Sequence, residues 1–400
     1  MRVIVAAVSA NRSMSGVSRH AANLVKCLLA RQEISTVHVL VGEWEHKYVS
    51  EAIARQDARL RVHAVALGAG IVSRNLWYYR TLPAIAGQLR ADIVHIAYPS
   101  PIQEGAFPCP VVTTLHDLYP YDIPSNFGFP KVIFNRMILK QCLRNVDAIA
   151  CVSDSTRLQM GLRMPQMLPK AVTINNCVEG ARIAVKPSFA ASWADRPFLL
   201  CVAQHRRNKN IPVALAAFNL LLSTRAIEPD TRFVLIGMEG PETGRIEDTI
   251  QSLGLKRRVV LAGGISDPEM NWCYRYCEAL LAPSVVEGFG LPIIEGRLAG
   301  CRIVCSDIPA FREVGGKGSR FVELGTNAEK DFAFAIEASL KERRPLPANL
   351  SSLSPTFIAP EYLRLYRKLV DSRKTFRSSA ASTATARQEQ SKSMETKAAV

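Results

Sequence analysis

The sequence predicts an α/β protein built from two successive doubly wound parallel sheets, and three features carry that prediction. Strand-length apolar runs alternate with helix-period stretches along most of the 400 residues. A chain of this length is too long for one ordinary core. A looser segment, Glu179–Pro197, holds Pro187 and Pro197 and breaks the alternation near its middle. The expected organisation is a first domain over residues 1–180, a linker over 181–197 and a second domain over 198–350. A C-terminal helix over 355–371 and a disordered tail over 372–400 complete it.

In chain order, Val3–Val8 reads as a buried strand, Ser9–Gly16 as a polar loop and Val17–Ala30 as a helix with Ala21, Leu24, Val25 and Leu28 on one face. Further strands follow at Val37–Val41, Arg61–Ala66, Ile93–Ile96, Val111–Leu115 and Ala148–Val152. Helical stretches at Ser50–Gln56 and Trp77–Leu89 separate some of them, and Ser153 and Ser155 offer caps for a helix after Val152. The second series has strands at Phe198–Ala203, Phe233–Gly237, Val259–Ala262 and Arg302–Ser306, with helices at Pro212–Leu222 and around Glu269–Ala279. Glu361–Val370 forms a last helix, with Tyr362, Leu365, Tyr366 and Leu369 on one face. From Ser372 the chain is rich in Ser, Ala, Thr, Lys and Gln and has almost no apolar bulk, hence the expectation of disorder.

A composition of 48% hydrophobic and 21% charged residues belongs to a folded globular protein, and no apolar run reaches bilayer-spanning length. The apolar start reads as a first strand rather than a signal peptide, because no cleavage region follows it. Ten cysteines are scattered singly through apolar segments, the usage of core thiols in a reducing, cytoplasmic compartment. The pairs Cys273/Cys277 and Cys301/Cys305 lack the tighter spacing of structural zinc sites. A net charge of +15 calls for an acidic partner: nucleotide phosphates, an anionic membrane surface or nucleic acid. No compact basic motif interleaved with aromatics is present, which argues against nucleic acid. In Lys131–Arg144, Arg136, Lys140 and Arg144 recur every four residues opposite the apolar positions. A solvated helix face is the first reading, and peripheral contact with anionic lipid at the inner face of the membrane the second.

The densest chemistry lies in Ala282–Gly300. Ala279–Ala282 reads as a strand, Gly288 and Gly290 as a turn, Pro292 as the start of a helix and Gly300 as its stop. Glu287 then sits in a loop at the carboxyl end of a strand, and Glu295 about one turn into the following helix. Ligands of open α/β sheets bind at such places, and an uncapped helix start favours an anion such as a diphosphate. Taken alone, Glu295 reads more simply as a carboxylate on a helix dipole and Glu287 as a solvated loop acid.

Several motifs together resemble one family. Glu287–Glu295 encloses Gly288-Phe289-Gly290-Leu291-Pro292; Pro283-Ser284 precedes it, and Gly300, Ser306-Asp307-Ile308-Pro309 and Arg312-Glu313-Val314 follow. Upstream, Gly16 with Arg19, His116-Asp117, Val152-Ser153 with Ser155, and Lys209-Asn210 with Ala217-Phe218 match in order. From about Met1 to Val370 the chain resembles a GT-B-fold retaining glycosyltransferase of family 4 (glycosyl transferases group 1). That resemblance implies two Rossmann-like domains facing across a cleft, an acceptor-side first domain and a second domain that binds a nucleotide sugar.

The resemblance also implies roles. Glu295 would accept hydrogen bonds from the ribose hydroxyls and Glu287 from hydroxyls of the donor sugar. Lys209 would neutralise the diphosphate leaving group. The family arginine expected nearby is replaced by Gln204 or Asn208, so Arg206 or Arg207 would substitute. His116, with Glu287, would be catalytic, by hydrogen bonding near the reacting carbon rather than as a general base. Gly16 would let the backbone approach the diphosphate or acceptor, and Gly237 and Gly240 would do likewise at the nucleotide; a turn glycine is the simpler reading of each. The expected activity is transfer of a hexose, mannose first, from a nucleoside-diphosphate sugar to a glycan or lipid-linked glycan hydroxyl. No cofactor is implied. No Asp-x-Asp motif stands at a strand end, so no obligatory metal is expected. A sugar-nucleotide epimerase of the same fold and a non-catalytic nucleotide-sugar-binding scaffold are the alternatives. Arg302 replaces the family's proline and Gly296 its alanine, and the aromatic signature before the last helix is absent around Ser354–Phe357.

Overall fold

The computed structural model describes residues 1–9, 16–53, 57–68, 70–180, 183–191 and 193–375. The first sheet contains β1 (Arg2–Ala6), β2 (Thr36–Gly42), β3 (Leu60–Val65), β4 (Ile93–Ile96), β5 (Val111–Leu115), β6 (Ala148–Cys151) and β7 (Ala171–Thr173), in the order β3-β2-β1-β4-β5-β6-β7. The second contains β8 (Phe198–Val202), β9 (Arg232–Ile236), β10 (Val259–Ala262), β11 (Ala279–Ala282), β12 (Ile303–Ser306) and β13 (Ser319–Val322), in the order β10-β9-β8-β11-β12-β13. β1 runs parallel to β2 and β4, with Ile4 opposite His38 and Val94. β8 runs parallel to β9 and β11, with Leu200 opposite Val234 and Leu280. These are two Rossmann-like arrays, and in the second the strand order reverses between β8 and β11, the switch point at which such sheets bind ligands.

By compactness the chain divides into two units. One comprises Met1–Thr114, Leu139–Ala150 and Pro355–Val400, the other Leu115–Ile138 and Cys151–Ser354. In the second, the parallel strands are apolar on both faces because each face is covered. Leu199, Cys201, Phe218, Phe233 and Phe332 pack on one side, and Phe198, Leu200, Trp272, Phe289 and Phe311 on the other. Each fully buried Phe contributes about 1.5–3 kcal/mol. In the first unit the helix over 355–375 buries Tyr362 and Tyr366, as its sequence pattern predicts. The Tyr366 hydroxyl lies 2.6 Å from His95 Nδ1, and His95 Nε2 lies 2.7 Å from Thr114 Oγ1.

Some elements differ from the sequence reading. The helix expected at Ser50–Gln56 runs instead over Glu43–Ile53, and residues 54–56 lie outside the described ones. The stretch expected to begin at Trp77 begins at Ile71 and passes through a π-turn at Trp77–Thr81 before Leu82–Gln88. Pro83 accounts for the irregularity, since it lacks an N–H and its ring crowds the carbonyl four residues back. The basic helix Lys131–Asn145 buries Leu139, Cys142 and Leu143, but Ile133, Phe134 and Met137 are exposed rather than buried opposite the cations. Ser9 lies within the described residues, whereas residues 10–15 of the N-terminal loop and 376–400 of the tail lie outside them. Among the described residues no helix is long and apolar enough to cross a membrane.

Candidate functional site

The site is assembled in the second unit by the loops that follow β8, β11 and β5. After β11, Gly290 takes φ 103° and caps the Leu291–Leu298 helix without a side-chain hydrogen bond. A Cβ on Gly290 would lie 3.0 Å from Phe311, so both its conformation and its surroundings select glycine. Gly288 is under a harder constraint: a Cβ there would stand 1.6 Å from the His116 carbonyl oxygen. Ser153 caps the Asp154–Arg163 helix by accepting from the Thr156 N–H, and its hydroxyl donates to the Gly288 carbonyl at 2.6 Å. The Thr156 hydroxyl donates to the same carbonyl at 3.0 Å. The Gly288 turn is thereby fixed against the His116 carbonyl, and the His116 side chain is half-buried.

Three donors converge on Glu287. Lys209 Nζ lies 2.5 Å from Oε1, the Ser284 hydroxyl 2.7 Å from the same oxygen, and the Tyr119 hydroxyl 3.0 Å from Oε2. The ion pair is largely sheltered, with side-chain exposures of 18% for Lys209 and 11% for Glu287. Lys209 ends a short turn, Arg207–Lys209, which Asn210 leaves with φ 49° before the Ile211–Ser223 helix. Asn208, buried within that turn, ties the two loops together: its carbonyl accepts the Val285 N–H at 2.8 Å, and its Oδ1 accepts from Asn126 Nδ2 at 3.2 Å. Asp117 accepts the Tyr119 N–H at 3.0 Å. Burial pushes the Asp117 carboxyl up to about 6, and the charge of Glu287 adds to the rise. The Tyr119 N–H and the cations Arg206 and Lys209 oppose it.

Glu295 lies one turn into its helix and accepts the Tyr274 hydroxyl at 2.7 Å. Two concavities border the site. One, of about 320 Å³, is lined by Asp117, Ser155, Thr156, Val285 and Glu287 among others; the second, of about 400 Å³, by Arg206, Arg207, Asn210, Arg245 and Val285 among others. Arg206 is half-buried and close enough to act on Asp117, whereas Arg207 is exposed.

Several expected residues take different places. Phe289 is 4% exposed and packed in the core, which leaves only its backbone to a ligand. Leu291 is half-buried at the helix start. Gly16 begins the Gly16–Leu29 helix in the first unit, and a Cβ there would meet nothing within 4 Å. Gly237 and Gly240 follow neither reading: neither takes a positive φ, and each is required by close packing, since a Cβ would strike the Ala203 carbonyl at 1.9 Å or the His205 carbonyl at 2.6 Å. The cysteines that meet are Cys277 and Cys301, with sulfurs 3.8 Å apart, rather than the pairs suggested by spacing. Among the described residues no group of three or more His, Cys, Asp or Glu is placed to hold a metal. The family departures have local causes. Arg302 donates to the Glu342 and Glu278 carbonyls, and Gly296 lets its helix close on β11, where a Cβ would lie 2.7 Å from Leu280. Tyr119 and Tyr274 escape sequence reasoning, because neither sits in a motif or at a diagnostic spacing.

The same architecture occurs in solved structures. HepE of Anabaena, determined with UDP and glucose, superposes with a TM-score of 0.62 at 15% identity, covering 96% of this chain and 100% of that one. Sucrose-phosphate synthase from Thermosynechococcus elongatus gives 0.64 at 18% identity, covering 93% and 99%. The fold is that of the GT-B glycosyltransferases. Residues 14–181 match the model of Glycosyltransferase Family 4 and residues 187–353 that of Glycosyl transferases group 1, and the chain belongs to these enzymes. Among its relatives, the Escherichia coli O-antigen chain mannosyltransferase B is 24% identical over 358 residues, 85% of this chain and 90% of its own. The O-antigen chain mannosyltransferase RfbU of Salmonella typhimurium is 25% identical over 224 residues, 56% and 59% respectively.

Proposed function

We propose that this glycosyltransferase moves mannose from a nucleoside-diphosphate sugar, GDP-mannose first, to a hydroxyl of a glycan or lipid-linked glycan, with retention of configuration. The observation that carries the reading is the placement of Lys209 and Glu287 on the loops flanking the β8/β11 switch point, 2.5 Å apart, with Glu295 one turn into the adjoining helix. A cation there stabilises the charge that develops on a departing diphosphate, and two carboxylates accept hydroxyls of the sugar and the ribose. Arg206 assists Lys209, in the role the family gives an arginine that this chain lacks at Gln204 or Asn208. The backbone N–H groups at the Leu291–Leu298 helix start face the same phosphates. His116 hydrogen-bonds the donor sugar near the reacting carbon. The leaving phosphate takes the acceptor's proton in a front-face displacement, and no divalent ion is required. Relatives named as mannosyltransferases support the choice of sugar.

The test is a thermal-shift panel of UDP-, GDP-, ADP- and TDP-sugars, followed by NMR of the anomeric proton in the product. GDP-mannose should raise the melting temperature most and the product should keep the donor's configuration. No shift from any sugar nucleotide at millimolar concentration, or an inverted product, overturns the reading. Appearance of a new sugar nucleotide would favour epimerisation, and binding without turnover a scaffold.

A peripheral contact with anionic lipid is the second element of the proposal. Phe129 is 83% exposed, and Ile133, Phe134 and Met137 expose 47%, 48% and 62%. The helix that carries the last three also carries Lys131, Arg136, Lys140 and Arg144 and contains no acidic residue. Exposed apolar side chains beside cations match a bilayer interface, which would bring the enzyme to a lipid-linked acceptor.

A further inference from the structure

We infer that Tyr119 is a positioning residue for the donor sugar, acting through Glu287; the inference rests on the reading of Glu287 as the acceptor of donor-sugar hydroxyls. The two oxygens of Glu287 are held unequally. Oε1 receives Lys209 and Ser284, while among the described residues Tyr119 is the contact on Oε2. When a diphosphate arrives, Lys209 is drawn toward it and its hold on Oε1 weakens. Ser284 lies three residues from Glu287 on the same loop, so it moves with the carboxylate it holds. Tyr119 belongs to a different segment, anchored after β5 by the bond from its N–H to Asp117 and by the Tyr121 N–H to the Leu118 carbonyl at 2.7 Å. It is therefore the reference that keeps Glu287 oriented while Lys209 changes partner. One lone pair of Oε2 is committed to Tyr119, and the other remains for a sugar hydroxyl.

A carboxylate aimed in this way distinguishes a sugar nucleotide from the bare nucleotide. Removing the Tyr119 hydroxyl should leave the diphosphate and ribose contacts intact and loosen only the sugar. The ring stays in place in Tyr119→Phe, so the variant tests the hydroxyl and not the packing.

The experiment compares GDP-mannose with GDP by calorimetry on the full chain, for wild type, Tyr119→Phe, Glu287→Ala and the double variant. Tyr119→Phe should weaken GDP-mannose about tenfold, the size of one hydrogen bond to a charged group, and leave GDP within about twofold. In the Glu287→Ala background the same change should do nothing further, because its route of action is gone. Parallel losses for both ligands, an undiminished preference for GDP-mannose, or an equal loss with and without Glu287 each overturn the inference. Wild-type protein that binds GDP-mannose no better than GDP would overturn the donor-sugar reading of Glu287 itself, and the inference with it. A wild-type preference that survives in Tyr119→Phe removes only the role of Tyr119.

Discussion

Substituting the two partners of the Lys209–Glu287 pair separately distinguishes a structural ion pair from a site awaiting a diphosphate. Lys209→Met keeps the length of the side chain and removes the charge. The Lys209 contact is 2.5 Å long and largely sheltered, and Ser284 and Tyr119 remain on the carboxylate when it is lost. A hydrogen bond to a charged group contributes about 1.5–3 kcal/mol net, and the two surviving donors offset part of that. A stability loss of roughly 1–2 kcal/mol in urea denaturation follows. Glu287→Gln should cost a similar amount, because an amide presents one acceptor atom where the carboxylate presented two. The two variants should part in nucleotide binding. Lys209→Met should weaken GDP by about 2–3 kcal/mol, roughly 30- to 150-fold, through loss of the cation on the diphosphate. Glu287→Gln should bind GDP at least as tightly as wild type, since Lys209 is no longer divided between a carboxylate and a phosphate. Calorimetric titration with GDP reads this directly. Equal weakening in both variants, or none in Lys209→Met, would show that the pair braces the two loops and that the cation does not serve the diphosphate.

Glu295→Ala should weaken GDP by about 30- to 100-fold in the same titration, the loss of a hydroxyl pair on one carboxylate, while Glu287→Ala spares GDP and lowers GDP-mannose affinity and turnover; equal and negligible effects would refute the division of roles. Asp117 gives a pH dependence. Its folded value of about 6 exceeds the ordinary 3.8, so the folded state binds the extra proton, and this contribution to stability is present at low pH and lost as pH rises through 6. The part lost is roughly 3 kcal/mol, and Asp117→Asn should remove that slope from denaturation curves taken between pH 4 and 8. A variant with Lys131, Lys140 and Arg144 changed to Gln should sediment less with vesicles containing anionic lipid and behave like wild type with neutral ones. Unchanged sedimentation with anionic vesicles ends the membrane contact.

Strand positions were the most legible part of the fold, because parallel strands covered on both faces leave continuous apolar runs such as Phe198–Val202. Helix limits were less so. Pro83 hides the continuation of the helical stretch back to Ile71, and the Thr243–Ser252 helix rests on only Ile246 and Ile250. The Ala328–Leu340 helix was missed despite an amphipathic pattern through Phe332, Ala333 and Ile336. β13 was missed too, a half-exposed edge strand with only Val322 fully buried.

At the site, the acids could be placed because glycine and proline punctuate Glu287–Glu295, while their roles and that of Lys209 came from the resemblance of the surrounding motifs. The hydroxyls that aim them could not. Tyr119 lies 168 positions from Glu287 and Tyr274 lies 21 from Glu295, separations that no local period connects. A tyrosine beside a strand end also has an ordinary use as half-buried packing, and its residue type says nothing of which oxygen it will face. The contrast with Gly288 is instructive. Its backbone passes so close to the His116 carbonyl that a Cβ would stand 1.6 Å from the oxygen, so the tertiary contact leaves a mark at the level of residue identity. Tyr119 leaves no such mark, since phenylalanine would fill the same space. Motifs therefore record where backbones meet, while the hydrogen bonds that orient Glu287 and Glu295 become visible only once the strands have brought their loops together.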